Sequence, residues 1–277
     1  RVVWANQAAA EMLGATTPDA IVNASPGSVA AAYAMTGEDG RPISPDDLPS
    51  RRLLRGEDAP PLVIRAVERA TGRARWTRTT ARPLDMGSRE PLAVNIIEDI
   101  TAAKRAALRR EALEAVGRLL DRADPTSPDT LAAICAVVSP VKADWCAIDL
   151  VDGDGELERV AIMHPDPELR RLGWELTRRY PAPPDAVADV LAGEPQLLAH
   201  IPVDADQTIA RDDEHLELLR RLVLRSALRA PLSGGGRVHG ILTLAHAESG
   251  RVFDEDDLAF AVDMGRRIGL AVAFARR

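Results

Sequence analysis

Apolar positions follow strand-like periods in two separate stretches of this chain, and a long helix-like period lies between them. In the first stretch, alternation of apolar and polar residues predicts three β-strands, at 61–68, 74–84 and 92–98. In the second stretch it predicts four, at 144–151, 157–163, 226–232 and 237–245. Glycine-containing turns separate neighbouring strands, among them Met86-Gly87-Ser88 and Ser233-Gly234-Gly235-Gly236. Short turns join strands as antiparallel hairpins, so the pattern predicts two antiparallel sheets.

The remaining segments predict helices around both sheets. In the first 60 residues we expect a strand at 1–5, a helix capped by Asn6 and closed by Gly14, short helical turns over 16–40 and a short helix at 45–57. Further helices are expected at 127–138, 167–179, 184–192, 213–224 and 254–275. The predicted fold class is α+β, with antiparallel-sheet domains at 1–100 and 124–277 and a connector helix at 101–123.

The connector segment carries a wide apolar face. It contains no Pro, and no Gly before Gly117, and its apolar residues form two adjoining stripes. The main members of the stripes are Leu108, Ala112, Leu113, Val116, Leu119 and Leu120. Such a face needs a partner, either its own domain or the same helix of a second copy. Because the segment lies between two domains, we predict a homodimer that uses this helix.

Composition and charge exclude several partners. A chain of 277 residues with 46% hydrophobic residues can form two packed domains. The net charge of −7 argues against nucleic acid and anionic membranes, and no apolar run approaches the roughly 18 residues of a membrane helix. Cys135 and Cys146 fit buried thiols of a reduced, cytoplasmic protein. Because the chain opens at Arg1 inside a strand-like run, we expect it to be a fragment.

The first half resembles a known family of bacterial signalling domains. The segments RVVWANQAAAEMLG and GEDGRPISPDDLPSRRLLRGE, followed by paired strands that end in EDIT, resemble a PAS domain. The resemblance covers about residues 1–103 and lacks the first strand of the family, which we expect upstream of Arg1. It implies that Asp99, Ile100 and Thr101 couple the last strand to the connector helix, with Asp99 as the latch.

The second half resembles a GAF domain. The matching segments are ADWCAIDLVDGDGELERVAIMHPDP, RSALRAPLSGGGRVHGILTLA and FDEDDLAFAVDMGRRIGLAVAFA. In relatives, a PAS–GAF pair precedes a sensor histidine kinase or a metal-dependent serine/threonine phosphatase. The resemblance therefore implies a sensory module that controls an effector domain beyond Arg277.

Several cofactors lack the residues they need. The PAS-like segment has no His and no Cys, which excludes a histidine-held haem and a cysteinyl–flavin adduct there. Cys146 lacks the bilin-attachment motif of relatives, and Phe253-Asp254-Glu255 lacks the Asn-Lys pair of cyclic-nucleotide-binding relatives. The cofactor, if there is one, is left unknown.

Candidate site residues are few. Trp4 and Trp76 are the large aromatic residues of the first domain, and His164 ends a predicted strand, so these are the candidates for a ligand pocket. The histidines show no acidic or cysteine partner at metal-site spacing, so no metal site is predicted. We found no nucleophile beside a base and no kinase or phosphatase motif, so no catalytic residue is predicted and this fragment is expected not to be an enzyme.

The leading hypothesis is a cytoplasmic regulatory module that passes a signal, from a small-molecule ligand or a protein partner, along the connector helix. One alternative is a ligand-free module for dimerisation and protein docking. Another is the regulatory part of a histidine kinase or a metal-dependent serine/threonine phosphatase.

Overall fold

The computed structural model describes residues 1–25, 27–70, 72, 74–85, 91–202 and 204–277, with only the backbone described at 140–142. The chain divides into two units, Arg1–Ala107 and Leu108–Arg277. The predicted turn at Met86-Gly87-Ser88 lies outside the described residues.

Unit 1 is a small α+β unit built on one antiparallel sheet. Its elements are α1 (Gln7–Met12), α2 (Pro18–Val22), α3 (Ser28–Ala31), β1 (Tyr33–Thr36), a 3₁₀ turn (Pro45–Asp47), α4 (Pro49–Leu54), β2 (Leu62–Glu68), β3 (Ala74–Leu84) and β4 (Leu92–Asp99). The strands form a four-stranded sheet in the order β1-β2-β3-β4, and every neighbouring pair is antiparallel. The helix α4 packs on β3 and β4, where the side chains of Asn95 and Ser50 form a hydrogen bond of 3.0 Å.

The predictions for unit 1 were right for the three hairpin strands and wrong at the start of the chain. Asn6 caps α1 as expected, because its Oδ1 accepts a hydrogen bond from the Ala9 N–H at 2.8 Å. Residues 1–5 are not a strand, since no described segment pairs with them. The strand β1 was missed within the segment 16–40, because a four-residue strand in a weakly periodic stretch has almost no alternation to detect.

Unit 2 is a larger α+β unit with a five-stranded antiparallel sheet. The helix α5 (Thr101–Arg122) begins in unit 1 and ends in unit 2. The elements that follow are α6 (Pro128–Lys142), β5 (Trp145–Val151), β6 (Leu157–Met163), α7 (Pro167–Arg179), a 3₁₀ turn (Pro184–Ala186), α8 (Ala188–Leu191), β7 (Gln196–Leu198), α9 (Ala205–Ile209), α10 (Asp213–Leu222), β8 (Ser226–Gly234), β9 (Arg237–His246) and α11 (Glu255–Ala275). The strand order is β6-β5-β9-β8-β7, so β5, β9 and β8 form the centre of the sheet. All four strands predicted in this half are present, and only the short edge strand β7 was missed.

The first face of this sheet carries the main hydrophobic core. Inward residues of β5, β8 and β9 pack there against α5, α6 and α11. Fully buried members of this core include Ile148, Leu228, Leu232, Leu242 and Leu244 from the strands and Met264 and Ile268 from α11. Glycines bring α11 directly onto β8. A Cβ added to Gly269 would lie 2.3 Å from the carbonyl carbon of Leu232, and one added to Gly265 would lie 2.6 Å from the carbonyl oxygen of Pro231. The helix therefore rests on the backbone of the strand.

The apolar face of α5 has a partner in unit 2 itself. Ala112 and Val116 are buried in the main core, and Leu113, Leu119 and Leu120 pack against it, while Leu108 is half-buried. Of the two partners considered from the sequence, its own domain is the one the structure provides. Ala112 and Val116 are buried within unit 2, whereas Leu108, Leu113, Leu119 and Leu120 are only partly buried, so their role as a dimer helix stays a prediction. Whether the protein is a homodimer remains a prediction.

Within the described residues, no helix combines the length and apolarity needed to cross a bilayer.

Candidate functional site

The second face of the five-stranded sheet carries polar side chains among apolar ones. Along β5, Cys146, Ile148 and Leu150 point into the main core, and the alternate residues Trp145 and Ala147 belong to a second apolar cluster. Because side chains alternate along a strand, Asp149 lies on the same face as Trp145 and Ala147. A carboxylate therefore occupies an inward position near the middle of the sheet, where it is only 6% exposed.

Two apolar clusters cover parts of this second face. In one cluster, Trp145, Ala147 and Ile162 pack against Leu172 of α7 and against Leu218 and Leu222 of α10. The other cluster is smaller and joins Val187 and Val190, at α8, to Ile241 of β9. Asp149 is the direct cross-strand neighbour of Ile241 and lies two residues along β5 from Ala147. The polar group on this face consists of Asp149, Arg159 and Arg229. Apolar packing borders it, from α7 and α10 in one cluster and from α8 in the other.

The first part of the polar group is an ion pair. Asp149 accepts two hydrogen bonds from Arg159 of β6, at 2.8 Å from Nε and 3.0 Å from Nη2. The third nitrogen, Nη1, donates to Thr177 Oγ1 at 2.9 Å, and that hydroxyl donates to the carbonyl oxygen of Gly173 at 2.9 Å. The bidentate geometry fixes both side chains and ties the sheet to α7. Each of the three guanidinium nitrogens of Arg159 therefore donates to a partner within the fold.

The second part is Arg229, on the other side of β9. Its Nη1 donates to the carbonyl oxygen of Ala186 at 2.9 Å and to Gln196 Oε1 at 2.8 Å. Among the described residues these are its hydrogen bonds, and no carboxylate lies within ion-pair distance of it. The Nε and Nη2 groups of a half-buried guanidinium are therefore available as donors. Burial and then repulsion by Arg159 lower the pKa of Arg229, against an opposing effect of Asp149.

The charges of this polar group do not balance. The guanidinium groups of Arg159 and Arg229 lie near one carboxylate, that of Asp149. Both oxygens of this carboxylate already accept hydrogen bonds from Arg159. An uncompensated positive charge next to an apolar layer is unfavourable, and an anion that arrives with its own oxygens would relieve it. The indole N–H of Trp145 is a further buried donor on this face without an acceptor among the described residues.

The three pocket candidates from the sequence do not contact Asp149, Arg159 or Arg229 through any described hydrogen bond, although the His164 ring centroid lies 4.4 Å from that of Trp145. Trp4 is 72% exposed, which does not fit a residue in a pocket wall. Trp76 is half-buried in β3, with the Lys104 ammonium 5.6 Å from its ring centroid. His164 is only 2% exposed, so its ring lies within the fold. Its Nε2 lies 2.6 Å from Glu248 Oε1, and its Nδ1 accepts a hydrogen bond from the Asp166 N–H at 3.0 Å. Both ring nitrogens are thus engaged within the fold.

A neighbouring histidine has a similar structural role at the end of β9. Asp144 accepts backbone hydrogen bonds from Ala247 at 2.7 Å and Ser249 at 3.2 Å, and its carboxylate lies 3.7 Å from His246 Nδ1. Burial raises the pKa of Asp144, but its interactions with His246, Ala247 and Ser249 outweigh burial and hold the pKa well below its ordinary value. This carboxylate therefore stabilises the connection between β9 and α11. No group of three or more His, Cys, Asp or Glu side chains among the described residues could hold a metal ion.

The predicted coupling residues do come together at the end of β4. Ile100 N–H donates to the carbonyl oxygen of Trp76 at 2.9 Å, and Thr101 Oγ1 accepts from the Trp76 N–H at 2.9 Å. Asp99 Oδ1 accepts from the Thr101 N–H at 2.9 Å, which satisfies a backbone donor in the first turn of α5. The residues that end β4 therefore also begin α5. Asp99 pairs with β3 in the sheet, and Ile100 and Thr101 form hydrogen bonds with Trp76 of β3.

A concave surface lies on α7. It is an open groove of about 580 Å³ lined by Pro167, Arg170, Arg171, Trp174 and Arg178. Its position on an exposed helix surface distinguishes it from the polar group on the sheet.

The sequence reasoning missed the polar group. Asp149 stands in CAIDLV and Arg229 in ALRAPL, both otherwise apolar strand segments. A charged residue at an inward strand position is a signal that the sequence contains, since such residues are rarely buried unless paired. The partners Thr177 and Gln196 carry no comparable signal, because only the fold brings them to this face.

Comparisons with known proteins agree on unit 2. A family model described as GAF domain matches residues 127–272, which is more than half of the chain. Among solved structures, the chain is similar to the GAF domain from a phosphoenolpyruvate-protein phosphotransferase of Coxiella burnetii, at 19% identity and a TM-score of 0.44, covering 62% of this chain and 96% of that chain. It is also similar to the A. aeolicus nlh2 GAF domain in an inactive state, at 16% identity and a TM-score of 0.43, covering 62% and 99%.

A further similar structure is the GAF domain of a putative sensor histidine kinase from Pseudomonas syringae pv. tomato, at 18% identity and a TM-score of 0.41, covering 63% of this chain and 93% of that chain. No curated protein matches the chain.

Proposed function

This chain belongs to the GAF domain family, and we propose that it is a regulatory module in which α5 passes a change of state between the two units. GAF domains are sensory and regulatory modules that are generally not catalytic. The predicted resemblance of the second half to this family is confirmed by the family match.

The observation that carries the relay proposal is the junction of β4 and α5. Asp99 belongs to β4 and Thr101 is the first residue of α5, so one residue separates the strand from the helix. Hydrogen bonds from this junction hold Trp76 on the neighbouring strand. Because no flexible loop lies between the strand and the helix, a shift of β4 would be transmitted to the first turn of α5.

The other end of α5 supports the same proposal. Val116 is fully buried and Ala112 is 3% exposed, both within the core that α11 and the central strands share. A helix fixed in a packed core cannot rotate or slide without changing that packing. Such a movement would therefore bias the arrangement of unit 2, which is a population shift between two states.

The finer features of this proposal follow the resemblances in the sequence. We propose a PAS-like unit at 1–100, the connector helix at 101–123 and the GAF unit at 124–277. The module would act in the cytoplasm and control an effector on the same chain, either a histidine kinase or a metal-dependent serine/threonine phosphatase. A ligand of the GAF unit would be the signal.

The relay can be tested by hydrogen exchange on the full chain. Asp99→Ala removes the acceptor for the Thr101 N–H. Loss of such a cap costs about 1 kcal/mol, which raises the equilibrium constant for local opening of the helix about fivefold. We expect amides of 101–107 to exchange about fivefold faster, with a smaller increase in 108–122 and no change in β5.

The matched control is Glu98→Ala. It removes the adjacent carboxylate, whose partner is Arg78 at 3.0 Å on the exposed side of the strand. The control should leave exchange in α5 unchanged. An effect of Asp99→Ala that stops before residue 108, or one that Glu98→Ala reproduces, would refute the relay.

A second candidate function, the ligand-free dimerisation module, has one observation in its favour. Leu270 and Phe274 lie one turn apart on α11 and are 50% and 79% exposed. Large apolar side chains that share an exposed helix face are typical of an interface with a second copy. Light scattering on the chain and on Phe274→Asp tests this: a dimer that the substitution dissociates supports it, and an unchanged mass contradicts it.

A further inference from the structure

Arg229 is a charged side chain that the fold of unit 2 does not explain. It stands between Leu228 and Ala230, both fully buried, on the face of β8 that turns away from the main core. A structural role would be served by its two hydrogen bonds from Nη1, which a neutral amide could also supply. Its two remaining donor nitrogens are not used by any described residue, and the nearby carboxylate of Asp149 is hydrogen-bonded to Arg159 instead.

The surroundings of Arg229 favour an anion over any neutral or cationic ligand. The nearby carboxylate of Asp149 is already bound by Arg159 at 2.8 and 3.0 Å, so it cannot neutralise a second guanidinium fully. Arg159 adds positive potential at the same place, and this potential contributes to lowering the pKa of Arg229. The apolar clusters on this face reduce the local dielectric, which strengthens the attraction of an anion.

We propose that unit 2 binds a small ligand through a carboxylate or phosphate group held by the free Nε and Nη2 donors of Arg229. A planar guanidinium presents these two donors in parallel and matches two oxygens of either group. Arg159 adds long-range attraction, while each of its three guanidinium nitrogens already donates to Asp149 or Thr177. This inference rests on the proposed sensory role and specifies the class of ligand for it.

Arg229 lies close to the segment that leads into α8. Arg229 is half-buried, and the carbonyl of Ala186 that it contacts belongs to the 3₁₀ turn before α8. A ligand at the two free donors would therefore lie close to this turn. The turn offers a physical route by which binding would order the region around α8.

The test is isothermal titration calorimetry of the full chain with inorganic phosphate and, separately, with acetate, in chloride buffer at constant ionic strength. Binding of phosphate alone identifies a phosphate ligand, and binding of acetate alone identifies a carboxylate ligand. Arg229→Gln keeps an amide donor for Ala186 but removes the charge and the paired donors. We expect it to weaken binding by about tenfold or more, since a charged hydrogen-bonded pair contributes at least this much.

The matched control is Arg225→Gln. Arg225 precedes β8, its side chain is exposed, and it has the same charge as Arg229. The Arg225→Gln variant should bind the anion with the same affinity as the unchanged protein. Arg229→Lys keeps the positive charge but lacks the paired Nε and Nη2 donors, so it should bind the anion with an intermediate affinity. It also serves as the second variant if Arg229→Gln does not fold. Absence of binding for both anions, or equal weakening by Arg225→Gln, would overturn the site.

These outcomes are separate from those of the relay test. Anion binding that depends on Arg229 establishes the site even if Asp99→Ala leaves α5 unchanged. A relay detected by hydrogen exchange, together with no anion binding, removes the ligand class and leaves the relay in place.

Discussion

The pair of Asp149 and Arg159 allows a quantitative prediction about the inner polar group. The Asp149 side chain is 8% exposed and that of Arg159 is 22% exposed, so the pair is largely desolvated. Removing one partner of a buried pair costs roughly 3–5 kcal/mol, because the other charge is left buried without compensation. Asp149→Asn keeps the shape and one oxygen acceptor, and Arg159 retains some contact with solvent. We therefore expect a loss of about 3 kcal/mol in the free energy of unfolding of unit 2.

Native-state hydrogen exchange of the β5 amides is the appropriate assay, because these amides report the opening of unit 2 without assuming that both units unfold together. Glu158→Gln is the control. It neutralises an exposed carboxylate next to Arg159 on the same strand and should change stability by less than about 0.5 kcal/mol. The double variant Asp149→Asn/Arg159→Gln should be less destabilised than the sum of the two single variants, since it removes the stranded charge.

The same reasoning predicts a rescue. Because Arg229 adds to the positive charge that Asp149→Asn leaves behind, Arg229→Gln in that background should recover part of the lost stability. Additive effects in both double variants, or a loss below about 1 kcal/mol for Asp149→Asn, would show that the charges of this group do not determine its energetics.

Four further predictions concern the framework of unit 2. Val116→Ala should cost about 2–3 kcal/mol, because it empties space in the core that α5 shares; a loss below about 0.5 kcal/mol in urea unfolding would mean that α5 is not docked. Gly117→Ala should stabilise the protein by up to about 1 kcal/mol, because the added Cβ meets open space. Gly269→Ala should destabilise it despite the same gain in helix propensity, because its Cβ would clash with β8. Changes in the free energy of unfolding that have the same sign for both variants would contradict the packing of α11 on β8. The folded pKa of Asp144 lies below its unfolded value of 3.8, so its stabilisation is present above that pH and is lost as pH falls below it; Asp144→Asn should flatten this acid-side loss in urea midpoints, and an unchanged slope would exclude its role. Burial, and then Cys135, raises the pKa of the Cys146 thiol, so a thiol reagent should label it only after unfolding, and rapid labelling of the native protein would contradict this.

The sequence determined the parts of the fold that depend on local periodicity. The strands β5, β6, β8 and β9 and the helices α5 and α11 were predicted within a few residues, because each has a long apolar pattern with clear turns or caps at its ends. The end of β4 at Asp99 was expected from the resemblance of EDIT to the end of a PAS domain, and the role of Asp99 as a latch stays a prediction. Short elements without a period of their own, such as β1 and β7, form only because longer strands offer them unpaired backbone groups.

Tertiary structure decided the partners of each face and the candidate site. The apolar stripes of α5 were visible in the sequence, but only the fold shows that the core of unit 2 covers them, because periodicity defines a face and not what packs on it. His164 was a candidate for a ligand pocket from its position at a strand end. The fold buries it, and both of its ring nitrogens contact other residues of unit 2. Asp149 and Arg159 are cross-strand neighbours in the β5–β6 hairpin, whereas Arg229 lies far along the chain, and strand order brings its charge to the same side of the sheet. An interaction among distant residues depends on the register of several strands, which no local pattern in the chain encodes.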